Sequence, residues 1–516
     1  MHTLIANKIR SRISFNAVLV SVLYIIASVV LIYALGYHGA KGIDILLMLL
    51  ILLTLPTIPL LRYLLVIPFF ILCAIYFPIG YIYGKPSVSV ISALMQTNKL
   101  EAHEFLLSMP VTCYLLPILV IALLTAINRY AWRSPPPVKR MLPYWLLLIL
   151  IVLSYAVTHN LHKLKLTDYF ISIFTGYQDY QEQIAQLDMA HASAPDWQVI
   201  PPKQRQANYV IIIGESMRRD YMSLFGYPLP TTPFLDQVNG DFYSNYISTA
   251  ANTFESLPRT LALSQGEQVD YANNVVTLAK AAGMKTYWFS NQGFVGDYDI
   301  PASRIAAYSD RRYFLKHGDY QSLNTDDYQL LPPFADALKD NHNGLYILHI
   351  MGSHPDFCER LNGAKPAFSF GNQDLSCYLS TYRKTDDFIR QTYRLLQQTQ
   401  RPFKLFYFSD HGLARHNIGG NFYLRHSVEF KQNYEVPLVI LSDNATQHRQ
   451  IATPYSAFNF IQLFARQTDI TITRPSMAAY ALQLEHRRVY VGQNMLDFDG
   501  LAEDKVDLPD ENHLRG

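Results

Sequence analysis

Residues 402–416 read "PFKLFYFSDHGLARH", an apolar and aromatic run of strand length that stops at an acid, a histidine and a glycine. Adjacent side chains on a strand point to opposite faces. Asp410 and His411 therefore converge on one point only where the strand has ended and Gly412 lets the chain turn. A metal or phosphate site at the carboxyl end of a sheet needs that arrangement. Runs of the same kind begin at 208 ("NYVIIIGES"), 285 ("KTYWFSN"), 344 ("GLYILHIMGSH") and 436 ("VPLVILSD"), separated by longer polar, helix-like segments. Their apolarity is continuous rather than alternating, which predicts strands buried on both faces and a mostly parallel α/β sheet covered by helices. In such sheets ligands gather at the carboxyl ends of strands. Glu215, Ser290 with Asn291, His349 with His354, and Asp410 with His411 all fall there.

Alone, a Glu after a strand is ordinarily a solvated residue or a helix cap. Glu215, Asp410 and His411, delivered from separate positions to one sheet edge, instead point to a divalent metal. Zinc suits carboxylate and imidazole together better than magnesium, which prefers oxygen ligands and retained water. His354 in "MGSHPDF" and His426 in "YLRHSVEF" could complete a second metal position or act as general acid or base, although either alone is ordinarily a surface or structural histidine. In "STAANTFESLPRTLAL" at 248–263, Thr253 stands where a helix could open, near backbone N–H groups that favour an anion. A Thr there is ordinarily a cap. Joined to metal ligands it becomes a candidate nucleophile, since a free hydroxyl needs a metal or base to activate it.

The chain has 516 residues, 50% of them hydrophobic and 16% charged, and most of the apolar excess lies before residue 160. Five stretches there are read as membrane spans: 14–35, 45–61, 63–83, 107–127 and 142–158, with Arg62 dividing the second from the third. The first lacks a small-residue cleavage site, so it reads as an uncleaved helix. Lys8, Arg10, Arg12, Arg62, Arg129, Arg133, Lys139 and Arg140 fall on one side of these spans, which predicts a cytoplasmic amino terminus and an exported part beyond about 159. The expected domains are a membrane domain (1–158), a bridging segment and linker (159–204) and a catalytic domain (205–516). In the bridging segment, Tyr169, Phe170, Phe174, Tyr177 and Tyr180 interleave with charges, as in a helix on the headgroup layer or one packed on the exported domain. Cys358 and Cys377 could pair in an oxidising compartment or remain free thiols. A net charge of +2 is too small to point to nucleic acid as a partner.

In order and spacing, "GES", "TFESLP", "HIMGSH", "YRKTDDFI" and "SDHG", after five spans and a bridging segment, resemble the bacterial phosphoethanolamine transferases. Members of that family are inner-membrane enzymes whose periplasmic domain has the alkaline phosphatase and sulfatase fold. The resemblance implies zinc (Zn2+) held by Glu215, Thr253, Asp410 and His411, with Thr253 as nucleophile. His354 and His426 would steady the phosphoryl group or a second zinc and aid proton transfer. It implies phosphatidylethanolamine as donor and lipopolysaccharide or lipooligosaccharide as acceptor. Thr97 and Glu101 in "MQTNKLEAHEFL" stand where the family has residues near the donor headgroup, and Asn291 is a further expected substrate contact.

The chain departs from the lipid A branch of that family. It has at most one exported disulfide, Arg259 after Pro258, "WFSNQGFVG" at 288–296 in place of a serine and lysine near the phosphate, and Ala93 before Thr97. These differences favour a core sugar, a heptose, over lipid A. Transfer of phosphoglycerol, or transfer to a periplasmic glucan, by the same superfamily is the alternative enzyme reading. A glycan-binding module without catalysis is the alternative of another class, and the intact Glu215, Thr253, Asp410 and His411 argue against it.

Overall fold

The computed structural model describes residues 2–37, 39–87, 90–91, 94–95, 111–133, 136–192, 194–202, 207–265, 268–292, 301–315, 325–340, 342–418, 421–473, 487–492 and 494–506. The chain divides into two compact units, one of residues 1–91 and 109–178, the other of residues 92–108 and 179–516.

The first unit is helical. Among the described residues, Pro59–Tyr81, Cys113–Trp132 and Val138–Val157 are long and apolar enough to cross a membrane, while Val18–Ala34 and Gly42–Thr57 are shorter apolar helices. The break expected at Arg62 lies earlier. The helix Gly42–Thr54 ends in a 3-10 turn at Leu55–Thr57, and Ile58 is extended before Pro59. Pro56 and Pro59 supply no amide hydrogen, and the residue before a proline is driven out of the helical region. Arg62 sits inside the next helix and donates to the Trp132 carbonyl at 2.6 Å. The bridging helix, Lys165–Ala192, starts in this unit, where Asp44 accepts from the Lys165 amide and Lys85 pairs with Asp168 at 2.8 Å. Its aromatics divide by face: Tyr169 and Tyr180 are buried, whereas Phe170, Phe174 and Tyr177 are exposed.

The second unit is built on an eight-stranded sheet. In chain order the strands are β1 (Asn208–Gly214), β2 (Gly240–Tyr243), β3 (Lys285–Ser290), β4 (Arg311–Phe314), β5 (Gly344–His349), β6 (Phe403–Ser409), β7 (Leu438–Ser442) and β8 (His448–Ile451). They lie in the order β8-β2-β7-β6-β1-β5-β3-β4. Only β7 runs against the others, so the sheet is mostly parallel. The five apolar runs are the five central strands, and their continuous apolarity has its expected cause. Val210 and Ile212 of β1 enter the core on one face and Ile211 and Ile213 the core on the other. The helix Gln373–Gln398 covers the first face through Tyr378, Tyr382, Phe388 and Ile389. The helices Thr253–Leu261, Val275–Ala281 and Phe460–Gln467 cover the second. The three strands missing from the sequence reading are short and lie toward the sheet margins, and β4 and β8 are largely exposed. Cys358 and Cys377 are disulfide-bonded, closing a loop that stabilises the fold by roughly 3 kcal/mol in the chain-entropy model.

Candidate metal centre

β1 and β6 are parallel neighbours with Gly214 opposite Ser409, so the residues that follow them emerge at one edge. Glu215 leaves β1 there, and Asp410 and His411 leave β6. Gly412 is required for space. A side chain at this position would place its Cβ 2.2 Å from the Gln432 carbonyl oxygen. Ser409 holds the turn through its hydroxyl, which accepts from the Met217 amide and donates to the His411 carbonyl.

Glu215, Asp410 and His411 each offer a ligand atom within 4.8 Å of the others, and all three are buried. His411 Nε2 lies 3.1 Å from Glu215 Oε1 and 3.5 Å from Asp410 Oδ2. His411 Nδ1–H donates to the Gly412 carbonyl at 2.8 Å, which turns Nε2 toward the carboxylates. Asp410 Oδ1 accepts from the amides of Ser216 and His411, whereas among the described residues the buried Oδ2 has no hydrogen-bond partner. Among the described residues no lysine or arginine pairs with either acid. Two buried carboxylates with one imidazole, one oxygen left over and no fixed cation form a site that is costly when empty. A divalent cation would relieve that cost, and carboxylate with imidazole suits zinc.

The electrostatics agree. Burial, then the Glu215 charge, push the Asp410 carboxyl up to about 7. Burial pulls the His411 imidazolium down, but the charges of Asp410 and Glu215 outweigh it and lift the group to about 9. Burial acts upward on Glu215 too, yet its hydrogen bond and attraction to His411 hold it well below the usual carboxylate range. Without a metal, the cluster thus retains protons in the place of a cation.

Thr253 opens the helix Thr253–Leu261, and the Asn252 side chain caps it by accepting from the Glu255 amide. Capping therefore falls to Asn252, and the Thr253 hydroxyl is aimed at the centre: it donates to Glu215 Oε2 at 3.0 Å and stands 3.3 Å from His411 Nε2. The His426 ring lies 4.6 Å from that of His411 and donates Nδ1–H to the Ala251 carbonyl. Burial, then the charge of His411, lower its pKa to about 3, so it is neutral. His354 follows β5, and its electrostatic influence reaches both Glu215 and His426. Asn291 directly follows β3. It is buried, and its amide donates to the Thr325 carbonyl and to Asp327. Asp327 in turn accepts from the amides of Met351 and Gly352, so Asn291 braces the loop that carries His354. Thr97 and Glu101 lie outside the described residues.

Several positions had no signal in the sequence. Ser216 takes a positive φ of 58°. Gly352 has φ +49°, and a Cβ there would stand 3.0 Å from the Glu215 amide nitrogen. Gly352→Ala is expected to cost about 1–2 kcal/mol for the backbone conformation and to weaken metal binding by displacing Glu215. Gly363→Ala, at φ +84° with open space around it, should cost the former only. Thermal unfolding with metal titration of both variants checks this.

Residues 207–470 match the sulfatase family. The phosphoethanolamine transferase OpgE of Escherichia coli is 34% identical over 415 residues, covering 78% of this chain and 79% of its own. Among solved structures, the integral membrane lipooligosaccharide phosphoethanolamine transferase A of Neisseria meningitidis aligns with TM-score 0.60 and 19% identity, over 87% of this chain and 96% of that one. The C-terminal periplasmic domain of EptC from Escherichia coli, in complex with Zn, aligns with TM-score 0.51 and 21% identity, over 60% of this chain and 97% of that one.

Proposed function

The chain belongs to the sulfatase family and, within it, to the phosphoethanolamine transferases, and from that premise we propose that it moves phosphoethanolamine from phosphatidylethanolamine to an envelope glycan through a covalent intermediate on Thr253. The observation that carries this reading is the Thr253 hydroxyl, directed at Glu215 and His411 from the first turn of a helix. Glu215, Asp410, His411 and the Thr253 oxygen would hold zinc, which when bound lowers the hydroxyl pKa and neutralises charge on the phosphoryl oxygens.

Thr253 Oγ attacks the phosphorus of the donor, the bond to the diacylglycerol oxygen breaks, and diacylglycerol leaves with a proton. The acceptor hydroxyl then attacks the same phosphorus, and threonine is the leaving group. His426, neutral with Nδ1–H committed to Ala251, presents Nε2 to relay the proton of the acceptor hydroxyl to the departing Thr253 oxygen, and His354 steadies the phosphoryl oxygens. Backbone amides at the start of the helix Thr253–Leu261 favour the phosphoryl anion. In this reading the first unit crosses the inner membrane five times from a cytoplasmic amino terminus, and the second unit is periplasmic. The acceptor is lipopolysaccharide or lipooligosaccharide, at a core heptose, the class that the chain's departures at Arg259 and Ala93 favour over lipid A.

The test is the full chain in vesicles containing phosphatidylethanolamine, given lipooligosaccharide core or a periplasmic glucan, with products read by mass spectrometry. Diacylglycerol release together with phosphoethanolamine on the core is the expected result. Phosphoethanolamine on the glucan alone would overturn the acceptor. Glycerol phosphate on either glycan would overturn the donor, and absence of transfer by a metal-loaded chain would overturn the activity.

A further inference from the structure

We propose that Tyr378 and Tyr382 are positioning residues for the metal centre, acting through the backbone of the segment that carries Glu215. The inference rests on the reading of Glu215 as a metal ligand.

Glu215 is followed by Ser216, whose φ of 58° lies in the left-handed region that a side-chain-bearing residue enters only when its surroundings hold it there. The hydroxyl of Tyr378 donates to the Ser216 carbonyl at 2.7 Å, and the same oxygen accepts from the Arg218 amide at 3.2 Å. The Tyr382 hydroxyl donates to the Arg218 carbonyl at 2.9 Å and stands 2.9 Å from the Tyr378 oxygen. Two adjacent phenols thus occupy three polar groups of the chain at 216–218. Both rings are fully buried, so water cannot replace the hydroxyls.

The same helix face reaches the other side of Glu215. Residues four apart on a helix share a face, and Cys377, Tyr378, Thr381 and Tyr382 form such a stripe. Thr381 donates to the Ser353 hydroxyl at 2.7 Å, and the Ser353 amide donates to the Glu215 carbonyl at 3.0 Å. Phe357 packs on the Tyr378 ring at 4.7 Å, and Cys358 is bonded to Cys377. Glu215 is therefore gripped from both sides by segments that this one face of Gln373–Gln398 secures. Residues that orient metal ligands from behind typically change metal affinity or activity by about 10–100-fold when removed.

Tyr378→Phe deletes only the oxygen. In the full chain, zinc affinity measured by competition with a chelating dye is expected to fall by about 10–100-fold. The absorption of the Co2+-substituted protein should shift, as the coordination geometry changes. Tyr346→Phe, which removes another buried phenol oxygen, one placed 3.5 Å from the Ala337 carbonyl, serves as the control and should leave both readouts at wild-type values. A Tyr378→Phe chain with wild-type affinity and wild-type Co2+ spectrum would overturn the proposal, as would equal losses in Tyr346→Phe. Should Tyr378→Phe fail to fold, Tyr382→Phe carries the same test, since it removes the donor to Arg218; unchanged affinity and spectrum there would likewise overturn the proposal. Failure of the wild-type chain itself to bind zinc or Co2+ would overturn the underlying assignment of Glu215 as a ligand, a separate outcome.

Discussion

Replacing Thr253 by alanine is expected to abolish a covalent adduct that the wild-type chain acquires from phosphatidylethanolamine, an increase of about 123 Da as the covalent scheme requires. Transfer should fall by on the order of 10^4-fold or more, the scale on which loss of a nucleophile acts. The geometry makes this variant informative. Thr253 is not the helix cap, since Asn252 accepts from the Glu255 amide. Its hydroxyl donates to Glu215, whose Oε1 retains its contacts with Ser216 and His411. Alanine therefore removes one oxygen from the edge of the centre and leaves the helix capped. Stability should change by about 1 kcal/mol, the scale of one hydrogen bond, so folded protein without adduct isolates the chemical role. An adduct that persists in Thr253→Ala would place the nucleophile elsewhere, and intact-protein mass spectrometry with peptide mapping decides between the two.

Much of this site was legible in the sequence because it sits where strand periodicity ends. A continuous apolar run that stops at Glu215, and another that stops at Asp410 and His411, mark two neighbouring strands, and parallel pairing brings their ends to one edge. Thr253 needed the family resemblance, since a threonine opening a helix reads as a cap. Asn291 shows what strand pattern leaves open. A polar residue at a strand end can face the ligand or hold the adjoining loop, and only the partner, Asp327, distinguishes the two. The roles of Ser216, Gly352 and Tyr378 depend on contacts between segments far apart in the chain, which local pattern does not encode. The break at Pro56–Pro59 is legible from proline chemistry, which a division of the spans at Arg62 passes over. A charge marks a membrane border only where the helix ends, and Arg62 instead meets a carbonyl at 2.6 Å.

Metal affinity should rise with pH, and its slope identifies the ligands. Protons and metal compete for the same lone pairs, so binding releases whatever protons the metal-free groups hold. In the metal-free centre His411 titrates at about 9 and Asp410 at about 7, while Glu215 is already ionised. Between pH 7 and 9 His411 alone must surrender a proton, so log K should climb by about 1 per pH unit. Below 7 Asp410 must surrender one as well, and the slope should approach about 2; above 9 it should flatten. Asp410→Asn removes the group titrating near 7 and leaves a neutral amide in its place. Its affinity loss should exceed the 10–100-fold typical of groups behind the ligands, and chelation of the wild-type chain should eliminate the Thr253 adduct. The metal-free fold carries the opposite dependence. Both pKa values are raised above those of the unfolded chain, so both groups stabilise the folded state at low pH. The Asp410 contribution fades as pH rises from about 4 to 7, and that of His411 from about 6.5 to 9. Between pH 7 and 9 the metal-free chain should therefore lose Tm while zinc affinity still rises, so the Tm gain on adding zinc should widen steadily across that interval. Calorimetry with and without zinc across that range measures both slopes, and a gain that stays constant would show that zinc displaces no proton from His411 between pH 7 and 9.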